Sequence, residues 1–397
     1  MTKIDELIQE LCPDGVETFP LEECCNILDK KRKPVTKNSR EKGEYPYYGA
    51  NGVQDYVSDY IFNGKFVLVG EDGSVITKSG TPVVTWAEGK IWVNNHAHVI
   101  EEKSGTTLRY LYFYIQTIDV TSLIHGNIPK LTGRDFRSLK IALPPLEIQR
   151  EIVSILDNFT NLTAELTAEL TARKTQYGYY RDKLLEVETD IHKYTLGEIA
   201  TVTKLAGFEF TNFVTYSERG NIIALRGLNV KNGKLDLSDV KYIDKSDFSK
   251  LERSKLHIGD MLFTYVGTVG QVAIVDEEDK YYLAPNVALI RFDKKILLPQ
   301  YMKYYFQTTQ FWDKQIRRLL QSSSMQNIPM EKIRKFEIIV PPFDVQNRIV
   351  NVLDNFEKIC SDLNIGLPAE IEARQKQYEY YRDKLLNFKE HEDGLSN

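Results

Sequence analysis

The string LPPLEIQREIVSILDNF, Leu143–Phe159, returns 197 residues later as VPPFDVQNRIVNVLDNF, Val340–Phe356. Both copies run on to one identical heptapeptide, YYRDKLL, at Tyr179–Leu185 and Tyr380–Leu386. There the separation has grown to 201, so the second copy carries four extra residues. Self-similarity over such a distance means that the chain is built from two related halves.

Each copy predicts a long helix. Pro144–Pro145 and Pro341–Pro342 end the strand before them and suit a helix start. Apolar residues then fall at Ile148, Ile152, Ile155, Phe159, Leu162, Leu166 and Leu170, and in the second copy at Val345, Ile349, Val352, Phe356, Ile359 and Leu363. The opening steps of four and three are those of a coiled-coil seam. Tyr177, Tyr180 and Leu184 continue the first seam, and Tyr378, Tyr381 and Leu385 the second. Glu147 to Glu186 would be about 60 Å of helix at 1.5 Å per residue. Two such stripes in one chain most simply bury each other, which makes the helices a spacer. TAELTAEL, Thr163–Leu170, repeats with a helix-like step of four, and its leucines drift across the seam as a stutter would. The second helix departs here, because Gly366 and Pro368 should break or kink it.

A length of 397 residues predicts two or three domains, and 42% hydrophobic content suffices for packed cores. No apolar run approaches a membrane span. The start, MTKIDELIQEL, lacks an apolar signal core, so a cytoplasmic protein is expected. Cys12, Cys24, Cys25 and Cys360 form no C-x-x-C pair and are expected as reduced thiols. The net charge of −5 is unlike that of a simple non-specific nucleic-acid binder. The charge is uneven, however. Lys30, Lys31, Arg32, Lys33, Lys37, Arg40 and Lys42 crowd one early loop, and Lys314, Arg317 and Arg318 a late one. Local patches of this kind can hold phosphates within an acidic protein.

A short helix is expected at Ile4–Leu11. Strands are expected at Lys65–Val69, Pro82–Trp86, Ile91–Val93, His98–Glu101 and Lys140–Leu143, with a helix at Arg109–Thr117. After the central helix, strands are expected at Asn221–Ala224, Met261–Val266, Gln271–Val275, Val287–Phe292 and Phe336–Val340, with a helix at Pro299–Thr309. The two globular segments read as cousins. KFVLVGEDG matches DMLFTYVGTVG in character, and RYLYFYI matches YMKYYF. GNIPKLTGRDFRSLKIALPP resembles MQNIPMEKIRKFEIIVPP, with three residues more in the first when the Asn-Ile-Pro strings are matched. Loops between these anchors differ strongly, as on one scaffold that carries two binding surfaces.

Signatures of catalysis are sparse. There is no P-loop and no G-x-G-x-x-G. VPPF at Val340–Phe343 is similar to the [DNS]PP[YF] box of amino-methyltransferases, but Val340 and Leu143 stand where that box needs a polar residue, so both read as strand-to-helix junctions. Asp72 with Glu88 and Lys90 is the loose set a metal nuclease would need, and the second half has no counterpart. His96 and His98 share a face of one strand, yet no third metal ligand is evident. What remains is a recognition surface. Lys31, Arg32 and Lys33 precede YPYYGANG, with Tyr47 and Asn51; His125, Asn127 and Lys130 lie just before the last strand of the first half. Arg317, Arg318, Gln321, Ser322, Ser323 and Gln326 hold the matching place in the second half, and Arg226 joins them as a candidate. These residue types reach base edges and phosphates.

The paired helices with YYRDKLL, the TAEL repeat, GLPAEIEARQKQYEYYRDKLL and the NIP loops before the double prolines resemble the specificity subunit of a type I restriction-modification enzyme, in its type IC-like subgroup. The resemblance covers nearly the whole chain. It implies an α+β fold with two similar target-recognition domains, each reading half of a split double-stranded DNA site, separated by two long helices in an antiparallel coiled coil. The implied layout is a helical segment at 1–20, domains at 21–143 and 191–340, helices at 144–190 and 341–390, and a tail at 391–397. It implies two modification subunits docked on the helices, around Ile152, Phe159, Tyr180, Leu184, Ile349, Phe356, Tyr381 and Leu385, with restriction subunits joining them. This chain would be non-catalytic. The partners would methylate adenine and cleave DNA, and S-adenosylmethionine, ATP and Mg would belong to them. Two other readings stay open: a standalone DNA methyltransferase or nuclease using Asp72 and Glu88, and a coiled-coil adaptor that does not bind DNA.

Overall fold

A computed structural model describes residues 3–186, 193–205, 210, 212–320, 326–362 and 364–389. The chain divides into two compact units, Met1–Thr167 with Glu370–Asn397, and Ala168–Ala369. No helix among the described residues is long and apolar enough to cross a membrane.

The first unit opens with α1 (Lys3–Leu11), β1 (Thr18–Pro20), α2 (Leu21–Cys24) and β2 (Asn26–Ile27). Its main sheet adds β3 (Lys42–Gly49), β4 (Gly52–Val57), β5 (Phe62–Gly70), β6 (Val84–Val93) and β7 (Ala97–Glu101), in the order β2-β7-β5-β6-β3-β4. FVLV in β5 is an unbroken apolar run because both faces of the strand are covered. Val67 and Val69 meet α3 (Leu108–Ile115), while Phe66 and Leu68 meet Ile91, Val93 and Val99. The two strands expected over Pro82–Val93 are one. Gly89 takes φ +85° opposite Gly64, so the chain passes without a break. YPYYGANG is the end of β3 and the turn into β4. Helix α4 (Gly133–Arg137) leads into β8 (Lys140–Ala142), which pairs with β1.

The central helix α5 spans Leu146–Leu185, 40 residues in one piece. In the second unit, β9 (Lys193–Thr195) and α6 (Leu196–Ile199) repeat β1 and α2. β10 (Ala200–Lys204) lies in a sheet with β13 (Met261–Thr264), β14 (Val272–Ile274) and β16 (Val287–Phe292), in the order β10-β16-β13-β14. A second sheet joins β11 (Ile223–Leu225), β12 (Lys241–Tyr242) and β15 (Tyr281–Leu283). α7 (Pro299–Phe306), α8 (Met330–Ile333) and β17 (Glu337–Ile339) complete it, with β17 paired to β9.

The duplication extends to single registers. Val67–Gly70 run against Ile100–Ala97 as Met261–Thr264 run against Ile290–Val287. Leu131, Phe136, Leu139 and Ile141 are buried, and so are Ile328, Ile333, Phe336 and Ile338, each 197 positions later. The segments before the double prolines therefore correspond without a gap. The two Asn-Ile-Pro strings are not counterparts, because Leu131, not Ile128, fills the place of Ile328.

The distal helix is two helices, α9 (Phe343–Ser361) and α10 (Leu367–Leu385), as Gly366 and Pro368 predict. Any side chain on Gly366 would meet the Lys358 carbonyl at 2.5 Å, and Pro368 falls in the first turn of α10, where a missing N–H is harmless. In the first unit Phe159 of α5 stacks on Tyr381 of α10, ring centres 5.3 Å apart. In the second unit Tyr180 of α5 stacks on Phe356 of α9 at 5.9 Å. Partners thus run backwards along the sequence as α5 runs forwards, the order of an antiparallel pair.

The expected seam needs correction in detail. Ile152 and Ile349 are buried in the cores of their own units, and Leu184 and Leu385 are partly buried against those cores. Conversely, Val352 and Ile359 are 43% and 46% exposed. Leu363 lies outside the described residues. Helix faces turn toward the globular cores at Ile148, Ile152 and Ile349, which lie on the stripe that the spacing singles out, and at Leu156, Val350 and Leu353, each one position past a stripe residue.

Candidate nucleic-acid interface

Three loops meet at one end of each main sheet, held by the same backbone bonds in both units. In the first, Leu131 N–H donates to Glu71 O (2.9 Å), Gly73 N–H to Pro129 O (3.0 Å) and Glu71 N–H to His96 O (2.8 Å). In the second, Ile328 N–H donates to Tyr265 O (2.9 Å), Gly267 N–H to Gln326 O (3.0 Å) and Tyr265 N–H to Asn286 O (3.3 Å). The side chains on this common frame differ. Asp72, Ser74, His96 and Lys130 stand where the second unit has Val266, Thr268, Asn286 and Asn327. Asn286 takes φ +71°, a conformation that Asn tolerates better than most residues.

An ion network stiffens the first frame from below. Arg32 donates to Glu71 (2.6 Å) and to the carbonyls of Ala97 (2.7 Å) and Asp29 (2.9 Å). The ring of His98 stacks on Phe136 at 4.1 Å, with Nδ1 2.7 Å from Asp29 Oδ2 and Nε2 3.1 Å from the Leu131 carbonyl. Burial alone would raise the Asp29 carboxyl. The His98 hydrogen bond and charge, the Val99 amide and Arg32 outweigh it and hold the group below its usual range. Asp29, Glu71 and His98 bring ligand atoms within 4.8 Å of one another. Sequence reading missed this set, since Asp29 and Glu71 approach only through the sheet. The Arg32 guanidinium already supplies the positive charge among them. His96 points away from this set, at Asp72.

Lys31, Lys33, Asn51, His125 and Asn127 are exposed, and Lys130 is half-buried, 3.2 Å from Glu71. Arg32 is turned inward by its ion network with Asp29 and Glu71. Tyr47 is 1% exposed; strand alternation carries it into the core, where its hydroxyl meets the Val35 backbone under the Arg40 guanidinium. Arg226 is likewise engaged, with its Nη2 on the Asp239 carboxylate (2.8 Å) and carbonyl (2.9 Å). Arg317 and Arg318 are exposed just after a π-helical turn at Trp312–Ile316, and Arg317 lies 3.0 Å from Asp313. Gln326 is exposed; Gln321, Ser322 and Ser323 lie outside the described residues. Sequence reading did not single out Gln54, Ser74, Thr268 and Asn286, which lie on or beside these loops. The paired glycine turns GEDG and VGTVG, which mark where strands end, signal Ser74 and Thr268.

A nuclease pair of Asp72 and Glu88 is not assembled. Glu88 sits opposite Lys65 in the sheet, and Asp72 comes seven positions along from Lys65, about 20 Å of extended chain.

The profile of the Type I restriction modification DNA specificity domain matches residues 13–173 and 188–373. A putative type I restriction enzyme specificity subunit of Haemophilus influenzae is 36% identical over 384 residues, which cover 94% of this chain and 96% of the relative. The specificity subunit of an Escherichia coli type I restriction enzyme is 34% identical over 302 residues, 72% of each chain. The fold matches that of the type I system S subunit from M. genitalium, with TM-score 0.55 and 13% identity over 93% of this chain and 96% of that one. It also matches a chain from a structure of the type I R-M system, with TM-score 0.60 and 14% identity over 94% and 98%. The chain belongs to the type I restriction-modification specificity subunits, the non-catalytic members of those enzymes, with a role in DNA recognition and assembly.

Proposed function

We propose that residues 21–143 and 191–340 each read one half of a bipartite duplex site through the loop frame at the end of the main sheet. The observation that carries this reading is the frame itself: one set of backbone bonds, made twice, under side chains that differ. A shared scaffold with exchanged side chains at its loop ends is what two different half-sites require. Lys31, Lys33, Asn51, His125, Asn127, Lys130, Arg317, Arg318 and Gln326 remain candidate contacts, and Gln54, Ser74, His96, Thr268 and Asn286 join them. Two copies of a modification subunit dock on the helices, at the repeated pairs Tyr179–Tyr180 and Tyr380–Tyr381, whose rings stand exposed. Restriction subunits join that assembly in the cytoplasm, and S-adenosylmethionine, ATP and Mg reside on the partners.

The test is selection from random duplexes by the purified complex, repeated over a range of salt. A split consensus whose affinity falls steeply with salt is expected. An unsplit consensus, or none, would overturn the reading; methylation or cleavage by this chain alone would favour the standalone enzyme instead.

A further inference from the structure

At the recognition end of the first unit lies a cleft of about 350 Å³, lined by Asn51, Gln54, Asp72, Ser74, His96 and Ile128. Four separate loops contribute: the β3–β4 turn, the turn after β5, the β6–β7 turn and the loop before α4. Asn51 stands exposed beside Gly52, whose φ of +83° makes the tight turn. Gly49 leaves room that any side chain would take from the Gln54 amide, and buried Asn94 donates to Gln54 Oε1 at 3.4 Å from beneath. Asp72 is anchored on two sides, by His96 at one oxygen and by Lys130 Nζ, 4.0 Å from the other. Ile128 forms the rim and is 69% exposed, a large apolar side chain without cover.

A carboxylate in a cleft that faces DNA repels phosphate and accepts only from donors. In the major groove the donors are the exocyclic amino groups of adenine and cytosine. Carboxylates suit the cytosine group, and amides such as Asn51 pair with N6 and N7 of adenine. Apolar contact from Ile128 suits a thymine methyl group or a base face at the rim. We infer that this cleft is a base-reading pocket for an amino-bearing base in the half-site read by the first unit. The inference rests on the function proposed above. It applies to one half-site alone, because the second frame carries Val266 and Asn286 where the first has Asp72 and His96.

The test selects from random duplexes with the full complex, carrying wild-type chain, Asp72→Ala or Asn51→Ala. Wild type should restrict one position of one half-site to a single base pair, whose adenine or cytosine carries the amino group that is read. Each variant should relax that position by about 5- to 150-fold, the range of a lost bidentate base contact. The other half-site and the salt dependence should be unchanged, since no phosphate contact is removed. Purine in place of adenine, or 2-pyrimidinone in place of cytosine, then tells which amino group is read, because only the analogue of the true base weakens wild-type binding. No loss of wild-type binding with either analogue, equal relaxation of both half-sites, or no change with Asn51→Ala would overturn the inference. Asn51 is exposed in a turn, so that arm stands even if Asp72→Ala unsettles the Lys130 loop. Failure of wild type to select any split site would instead overturn the proposed function, and the pocket with it.

Discussion

Gln149 and Gln346 make the same three hydrogen bonds in the two halves. Gln149 accepts from Thr107 N–H (2.9 Å) and donates to the Gly105 (3.1 Å) and Pro144 (2.8 Å) carbonyls. Gln346 accepts from Leu298 N–H (2.9 Å) and donates to the Ile296 (2.9 Å) and Pro341 (2.9 Å) carbonyls. Both side chains are fully buried. Each ties the N-terminus of a globular-domain helix to the first turn of a long helix. This explains why the shared string reads PP-x-x-x-Q: the amide must sit one turn above the proline carbonyl that it holds.

Gln149→Leu should therefore loosen the first unit and Gln346→Leu the second. The substitution keeps the volume and strands one N–H and two carbonyls in the interior, at about 2–5 kcal/mol in total. Hydrogen exchange should show faster opening of α3 in the first variant and of α7 in the second. Equal loosening of both helices by either variant would contradict the assignment.

Glu357 makes the second unit acid-sensitive. Burial works to raise its carboxyl, but Lys303 (2.8 Å), the Tyr304 hydroxyl (2.8 Å) and Lys234 (3.2 Å) more than offset this and hold it below the usual range. A carboxyl lowered by folding stabilises above its unfolded pKa, about 4.3 for Glu, and that stabilisation is lost as pH falls through the folded value. Glu357→Gln should thus destabilise the second unit at neutral pH, with a deficit that shrinks below pH about 4. Urea unfolding across pH would show it, and a deficit independent of pH would contradict the ion network.

Docking on the tyrosine pairs can be separated from packing. Tyr180 and Tyr381 remain 39% and 41% exposed although each stacks on a phenylalanine. Tyr179→Ala with Tyr180→Ala should weaken one modification-subunit site, and the four-tyrosine variant both, by 2 kcal/mol or more if these are anchors, roughly 30-fold. Sedimentation of the complex should show successive loss of one and two copies. Leu184→Asp is a poor probe of this surface, because Leu184 packs on its own core and a charge there would destabilise the unit it serves.

The duplication, the long helices and strands such as Val287–Phe292 were legible because each has a local signal: a repeated string, a seam, an apolar run. The short edges β1 and β9 were not, since their partners lie more than 120 positions away and three residues carry no period. Tyr47 misled because aromatic, amide and glycine residues look alike in a recognition loop and in a hairpin; alternation from β3 decides, and only the parallel pairing with Trp92 reveals it. Matching the Asn-Ile-Pro strings misled for a different reason. Identity of three letters outweighed the spacing of four buried apolar positions, although burial is what the fold requires to be kept. Among the candidate residues, Arg32 and Arg226 are drawn into ion pairs with Glu71, 39 positions on, and Asp239, 13 positions on, which no local pattern announces.

Arg317→Ala with Arg318→Ala should affect one half-site. Both side chains are exposed in the second unit. A lost base contact should cost about 1–3 kcal/mol at one position, while a lost phosphate contact should reduce the salt slope by about 1 without changing the consensus. Binding of duplexes altered in one half-site at a time distinguishes these. Equal loss of discrimination at both half-sites would contradict independent reading.

The TAEL repeat offers a test of the helix as ruler. The boundary between the compact units falls between Thr167 and Ala168, inside TAELTAEL, where Leu166 and Leu170 are only half-buried. Thr163 and Thr167 bond their hydroxyls to the carbonyls of Phe159 and Thr163, so one more tetrapeptide can repeat the same local bonds and remain helical. A third TAEL lengthens α5 by four residues, about 6 Å, and turns the helix beyond the insertion by about 400°, a net 40°. One base pair advances about 3.4 Å and turns about 35°. Rotation therefore matches one added base pair, while translation overshoots by about 3 Å, which DNA bending or domain tilt can absorb. Rotation decides, because a recognition loop turned away from its groove makes no contact. The variant should keep both half-sites and widen the spacer by one base pair, read by sequencing methylated sites; an unchanged spacer would show that α5 does not set the distance.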